Sequence, residues 1–109
     1  MAYSSGSYRM QQINFQYREA MRKANRLNEL ADKLSRRGVG EIKNLSNNVR
    51  THWRGDEANV FSKKNAIIEA EVLKTVKQIR NCAATIKRIA RQTMQKEMEA
   101  AKIAARRAR

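Results

Sequence analysis

Cys82 and His52 are the side chains of this chain with the widest chemical reach. A thiolate is a nucleophile, and an imidazole serves as a base or a metal ligand. Each occurs once, thirty positions apart. A nucleophile–base pair needs a third group to orient the base, and a metal needs several ligands at helix or loop spacing. The ten carboxylates are instead scattered among 24 lysines and arginines. No glycine-rich phosphate loop is present. The chain therefore reads as non-enzymatic, with no cofactor and no metal. A lone cysteine also excludes an intramolecular disulfide. On an apolar helix face, Cys82 is expected to act as a small buried hydrophobe. His52 is expected to be a loop residue or part of a cap around Trp53.

Beside His52 stands the only tryptophan, in Trp53-Arg54-Gly55, close to the midpoint of the 109 residues. Glycine gives a backbone the freedom to reverse direction. A tryptophan two positions earlier offers an apolar face to close the end of a helix pair. The elements on either side must be helices. There is no proline, the four glycines are localised, and the chain is rich in Ala, Ile, Lys, Arg, Glu and Gln, which favour helix interiors and surfaces. The class is all-α.

Apolar positions recur every seven residues. Before the turn one row is Met10, Tyr17, Ala24 and Ala31, and the other is Ile13, Ala20, Leu27 and Leu34. Such a seam packs against another helix at a shallow angle. The phase slips by one residue across Arg37-Gly38-Val39-Gly40 and resumes at Ile42, Leu45 and Val49. Two glycines within three residues predict a kink or a short break there. After the turn the rows are Phe61, Ile68, Thr75, Cys82 and Ile89, and Val72, Ile79, Ile86 and Thr93. Val76, Ala83 and Ala90 widen one flank. Asp56, directly after Gly55, is the expected cap of the second helix.

These readings give a single domain over residues 1–109. Helix one covers about 8–50, the turn about 51–56 and helix two about 57–104, with a basic tail to 109. Each helix would be roughly 60 Å long at 1.5 Å per residue. With so short a connection they must run antiparallel. A lone hairpin of this size wets one side of each apolar stripe. The expected unit is thus a dimer forming a four-helix bundle, with Ile13, Leu27, Leu34, Phe61, Ile68, Val72, Ile79, Ile86 and Ile89 in its packing.

The net charge is +14. Residues 74–109 carry eleven lysines and arginines against Glu97 and Glu99, whereas residues 51–73 are close to neutral. A field of that sign favours an acidic partner. The tail reads first as a solvated face, next as a site for an acidic protein partner and last as one for nucleic acid or lipid. The alternative reading of the whole chain is a basic helical nucleic-acid-binding or structural protein. The cations read as spread around the helices without interleaved aromatics, and no compact helix-turn-helix is present. The opening MAYSSGSYRM has no hydrophobic run, and no stretch approaches eighteen apolar residues. Neither a cleavable signal peptide nor a membrane span is expected.

Trp53 and Gly55, with Ala58 three and Phe61 six positions after the glycine, resemble the signature of the WXG family of ESAT-like helical hairpins. The likeness covers nearly the whole chain. Thr85-Ile86-Lys87-Arg88-Ile89-Ala90, followed by Glu97-Met98 and Ile103-Ala104, is similar to the second-helix end of WXG proteins from clostridia-type bacteria. The resemblance implies export by the type VII secretion system of Gram-positive bacteria, from the cytoplasm and without a cleavable signal peptide. It implies a homodimer, or a heterodimer with another WXG-like or toxin-targeting helical chain. The protein would act as an effector or as an export adaptor for a larger protein. It further implies recognition by the secretion ATPase, through the turn of one protomer and a C-terminal aromatic-plus-acid motif. Here no aromatic follows Phe61, and Met94 stands in the aromatic's place, with Glu97 as the acid. The basic tail lies outside the family pattern.

Overall fold

The computed structural model describes the backbone of residues 2–53 and 55–108, and the side chains of 7–53 and 55–108. Among these residues there is no strand. Helix α1 spans Ala2–Lys33 and passes through a wider π-helical turn, Leu34–Gly38, directly into α2, Val39–His52. Helix α3 spans Asp56–Arg107. The helical stretches are longer than the sequence predicts, and the reversal is shorter, taking only Trp53 to Gly55. The basic tail is helical as far as Arg107.

The π-helical turn replaces the kink or break expected near Gly38. Its cause is legible in the burial pattern. Before it, Tyr17, Ala24 and Ala31 face inward at intervals of seven; after it, Val39 and Ser46 do so. The parallel row runs Ile13, Ala20, Leu27 and Leu34, then Ile42 and Val49. Both rows cross the turn with an interval of eight. One extra residue accommodated in a wide turn keeps both rows on one face, which is what a single-residue insertion in an α-helix produces. Leu45, placed in the seam by its spacing, is 50% exposed, and Ser46 takes the inward position at 7%.

The chain divides into two compact units. One comprises Met1–Arg26 and Cys82–Arg109; the other comprises Leu27–Asn81. In the Leu27–Asn81 unit, residues 27–52 and 56–81 form an antiparallel helical pair. Its register is visible in the pairs that meet across it. Arg80 Nη2 lies 2.7 Å from Asp32 Oδ1, and Lys43 Nζ lies 3.7 Å from Glu69 Oε1. Asn65 Nδ2 donates to Ser46 Oγ at 3.0 Å in the buried seam. Exposed ion pairs contribute little stability, so the apolar seam and the buried amide–hydroxyl pair carry more weight. Gly38 lies at mid-seam, facing Val72 across it at ordinary packing distance. A methyl group there would lie 3.3 Å from Leu34 Cδ1 and 3.8 Å from Val72 Cγ1.

Along α3 the inward rows are Ala58, Asn65, Val72, Ile79 and Ile86, and Ser62, Glu69, Val76, Ala83, Ala90 and Glu97. One row of the sequence reading lies outside the seam of the single chain. Ile68 and Ile89 are each 50% exposed in the single chain. Thr75 and Cys82 are exposed as well, so Cys82 is not a buried hydrophobe. Size explains the choice of row. Ala24, Ala31 and Ala83 are wholly buried and Ala58 nearly so, and small side chains let helices approach towards the lower end of the usual 8–10 Å axial spacing. The Val76–Ala83–Ala90 flank thereby becomes the seam, and the bulkier neighbouring row is left outside.

Charge placement supports α3 at both ends. Asp56 and Glu57 lie in its first turn and Arg106 and Arg107 in its last, each complementing the helix dipole. The cap, however, is Gly55 rather than Asp56. The Gly55 carbonyl accepts the first helical hydrogen bond, from the Asn59 N–H at 3.3 Å, which defines the N-cap position. Asp56 is the first residue inside the helix.

Candidate functional site

The reversal is built from three local facts. The Trp53 N–H donates to the Val49 carbonyl at 2.7 Å, closing α2. Trp53 then turns extended, with φ −114° and ψ 144°. Gly55 has φ +99°, a conformation that L side chains resist and glycine adopts freely. His52 is the last residue of α2, and its ring Nδ1 lies 2.9 Å from the Asn48 carbonyl. It belongs to the helix end and has no catalytic neighbour there.

Trp53 does not bury itself as a plug. It is 54% exposed and packs one side against Phe61, with ring centroids 6.3 Å apart and planes inclined by 48°. With Asp56, Val60, Phe61 and Lys64 it borders a shallow depression of about 310 Å³. An indole held this way presents its remaining face to solvent and its N–H as a free-standing donor type, a common anchor for a partner.

Met94 and Glu97 belong to the other unit. Both are half-buried. With Ile13, Tyr17, Ile86 and Ile89 they line an open, almost wholly apolar groove of about 260 Å³. The spacing of three that suggested a signal places both side chains on the inward side of α3. Trp53 and Gly55, in the Leu27–Asn81 unit, are therefore held apart in unit membership from Met94 and Glu97.

The remaining predicted packing residues divide clearly. Ile13 is 1% exposed, while Leu27, Leu34, Phe61, Val72, Ile79 and Ile86 are half-buried. Ile68 and Ile89 face outward. Beside Ile68, with Leu34, Ile67 and Val72, runs a further apolar groove of about 270 Å³. Val60, Ile67 and Leu73 add 51%, 64% and 44% exposure on α3. Isolated exposed apolar residues are ordinary, but a sustained row marks an interaction surface.

Among the described residues no three His, Cys, Asp or Glu side chains are grouped so as to hold a metal ion. No helix there is long and apolar enough to cross a membrane. Comparison with known protein families, curated proteins and solved structures yields no match.

Sequence reasoning missed the polar residues of the seam. Ser46 and Asn65 pair across it, and the Ser62 hydroxyl is buried with no hydrogen-bond partner among the described residues. Asn65 lies seven residues from both Ala58 and Val72, and Ser46 seven from Val39, a spacing that hydrophobicity alone does not reveal.

Proposed function

We propose that this chain is a non-enzymatic pairing protein of the WXG type. Its outward apolar row on α3 would be covered by a second helical chain, either another copy or a toxin-targeting chain, to complete a four-helix bundle. The observation that carries this reading is the row Ile68, Thr75, Cys82 and Ile89. It continues the heptad pattern, yet stays exposed in the single chain. Covering the exposed half of each such isoleucine would contribute about 0.8–1.5 kcal/mol to association. Sedimentation equilibrium at micromolar concentration tests the pairing. A dimer, or a tight complex with a helical chain encoded beside it, is expected; a stable monomer with no such complex sinks the reading.

The export role rests on the turn. Trp53 and Gly55 stand where the WXG signature has them, at a reversal between helical segments, with the Trp53 face open to a partner. In the dimer the turn of one chain would lie near the Met94–Glu97 segment of the other, forming a composite surface for the type VII secretion ATPase. The protein would leave the cytoplasm by that route, as an effector or as an adaptor for a larger protein. Culture supernatants of strains with and without the ATPase provide the check. Release only in its presence supports the role, and equal release from both strains removes it.

A further inference from the structure

The unit made of Met1–Arg26 and Cys82–Arg109 holds thirteen lysines and arginines against three glutamates. On its α3 segment four of the seven described cations share one face, and Lys87, Lys96 and Arg107 lie outside it. At about 100° per residue, Arg88, Arg91, Lys102 and Arg106 fall within an arc of about 60°. The arc lies roughly a third of a turn from the inward row Ala83, Ala90 and Ala101. Ile89 and Ile103 lie on the opposite flank. All four cations are exposed. None has an acidic partner within ion-pair distance among the described residues, whose ion pairs are Arg22–Glu19, Lys43–Glu69 and Arg80–Asp32. Arg91 Nε donates at 3.4 Å to the Lys87 carbonyl, which leaves its terminal nitrogens free. Gln95 sits within the arc, and Glu99 borders it as the one acid.

We infer that this basic stripe is a docking surface for the phosphate backbone of a nucleic-acid duplex, bound without regard to sequence. Two arguments select this occupant. First, the stripe contains no aromatic or large apolar side chain. A protein interface would need such an anchor at its centre, and single-stranded nucleic acid would need a stacking platform. Second, three of the four cations are arginines, whose planar forks match phosphate oxygens. They run along one straight helix for roughly 27 Å, or about eight duplex base steps. Arg9, Arg18, Arg22, Lys23 and Arg26 on the paired α1 segment add to the positive field that draws a polyanion in. This surface is independent of the proposed helical pairing, which uses the opposite flank.

The test is fluorescence anisotropy of the full chain with a labelled 20-base-pair duplex of random sequence, over a salt series. Saturable binding is expected, insensitive to sequence, with log K falling against log salt at a slope near −4, from about 0.9 per neutralised phosphate. The variant R88Q/R91Q/K102Q/R106Q is expected to lose at least about tenfold in affinity and most of that slope. A control of equal charge loss in the other unit, R36Q/R37Q/K63Q/K64Q, is expected to stay within about threefold. Circular dichroism verifies that both variants remain helical. Equal losses in the two variants would overturn the stripe as the site. So would tighter binding to anionic phosphatidylglycerol vesicles or to polyglutamate than to the duplex. A wild-type salt slope shallower than about −2 overturns it with no variant needed.

Discussion

At the level of single residues, two positions carry most of the local constraint. Gly55 holds φ +99° at the reversal with open space around it. An alanine there would meet no clash, so its whole cost is backbone conformation. Gly55→Ala is expected to destabilise by about 1–2 kcal/mol, measured as a lowered urea midpoint with unchanged helix content. The second position is the buried pair of Ser46 and Asn65. Asn65→Ala strands the Ser46 hydroxyl in the seam and is expected to cost about 1–3 kcal/mol. Adding Ser46→Ala removes the orphan and should recover part of that loss. A double-mutant cycle in chemical denaturation reads the coupling directly; a coupling of zero would show that the hydrogen bond contributes nothing. The amide–hydroxyl bond also opposes slippage, since a shift of the seam would bury one polar group without the other.

At the level of elements, the π-helical turn is a register device. Deleting one of its residues, Arg36, removes the extra residue and lets both inward rows continue at intervals of seven. This deletion is expected to leave helicity intact and the Tm unchanged or raised. Deleting Asn44, inside the regular α2, should instead rotate Ser46 and Val49 by about 100° relative to Val39 and Ile42 and lower stability by several kcal/mol. Thermal melts of the two deletions, side by side, decide the matter. If both melt alike, the wide turn does not absorb the insertion. The same reasoning explains why α3 needs no such turn. Its inward residues keep strict sevens from Ala58 to Ile86 and from Ser62 to Glu97.

For the molecule as a whole, the decisive quantity is the apolar surface left outside by the intrachain seam. Ile68 and Ile89 test it because each is half exposed and neither is needed inside. The double substitution Ile68→Glu and Ile89→Glu is expected to leave the single chain helical and to weaken self-association or partner binding by more than tenfold. That factor corresponds to roughly 1.4 kcal/mol, below the total of about 1.5–3 kcal/mol that covering the exposed halves of the two isoleucines together would supply. Sedimentation velocity over a concentration series measures it. An unchanged association constant would place the partner surface elsewhere.

Local physics made much of this protein legible from its residues alone. The absence of proline, the sevenfold apolar repeat and the lone Trp53–Gly55 reversal dictate an all-α chain with a central turn, because each acts within one or two helical turns. Even the one-residue slip near Gly38 was visible as a change of phase. Its resolution as a π-helical turn was not, since a break, a kink and a wide turn all restore the same phase. Likewise the reversal at Trp53 and Gly55 was readable, while the apolar groove around Met94 and Glu97 was not. The choice between two adjacent apolar rows on α3 was also beyond sequence. Ile68 and Ile89 are more hydrophobic than Ala83 and Ala90, yet the alanines took the seam. Hydrophobicity ranks residues one at a time, whereas helix approach depends on the combined shape of two surfaces meeting. Ser46 and Asn65, nineteen residues apart, are the polar counterpart, because only the folded register brings donor to acceptor. The sequence by itself determined the helices and where they reverse. The tertiary structure alone decided which face each helix spends on its own chain and which it leaves exposed, because that choice is made by fit between surfaces distant in sequence.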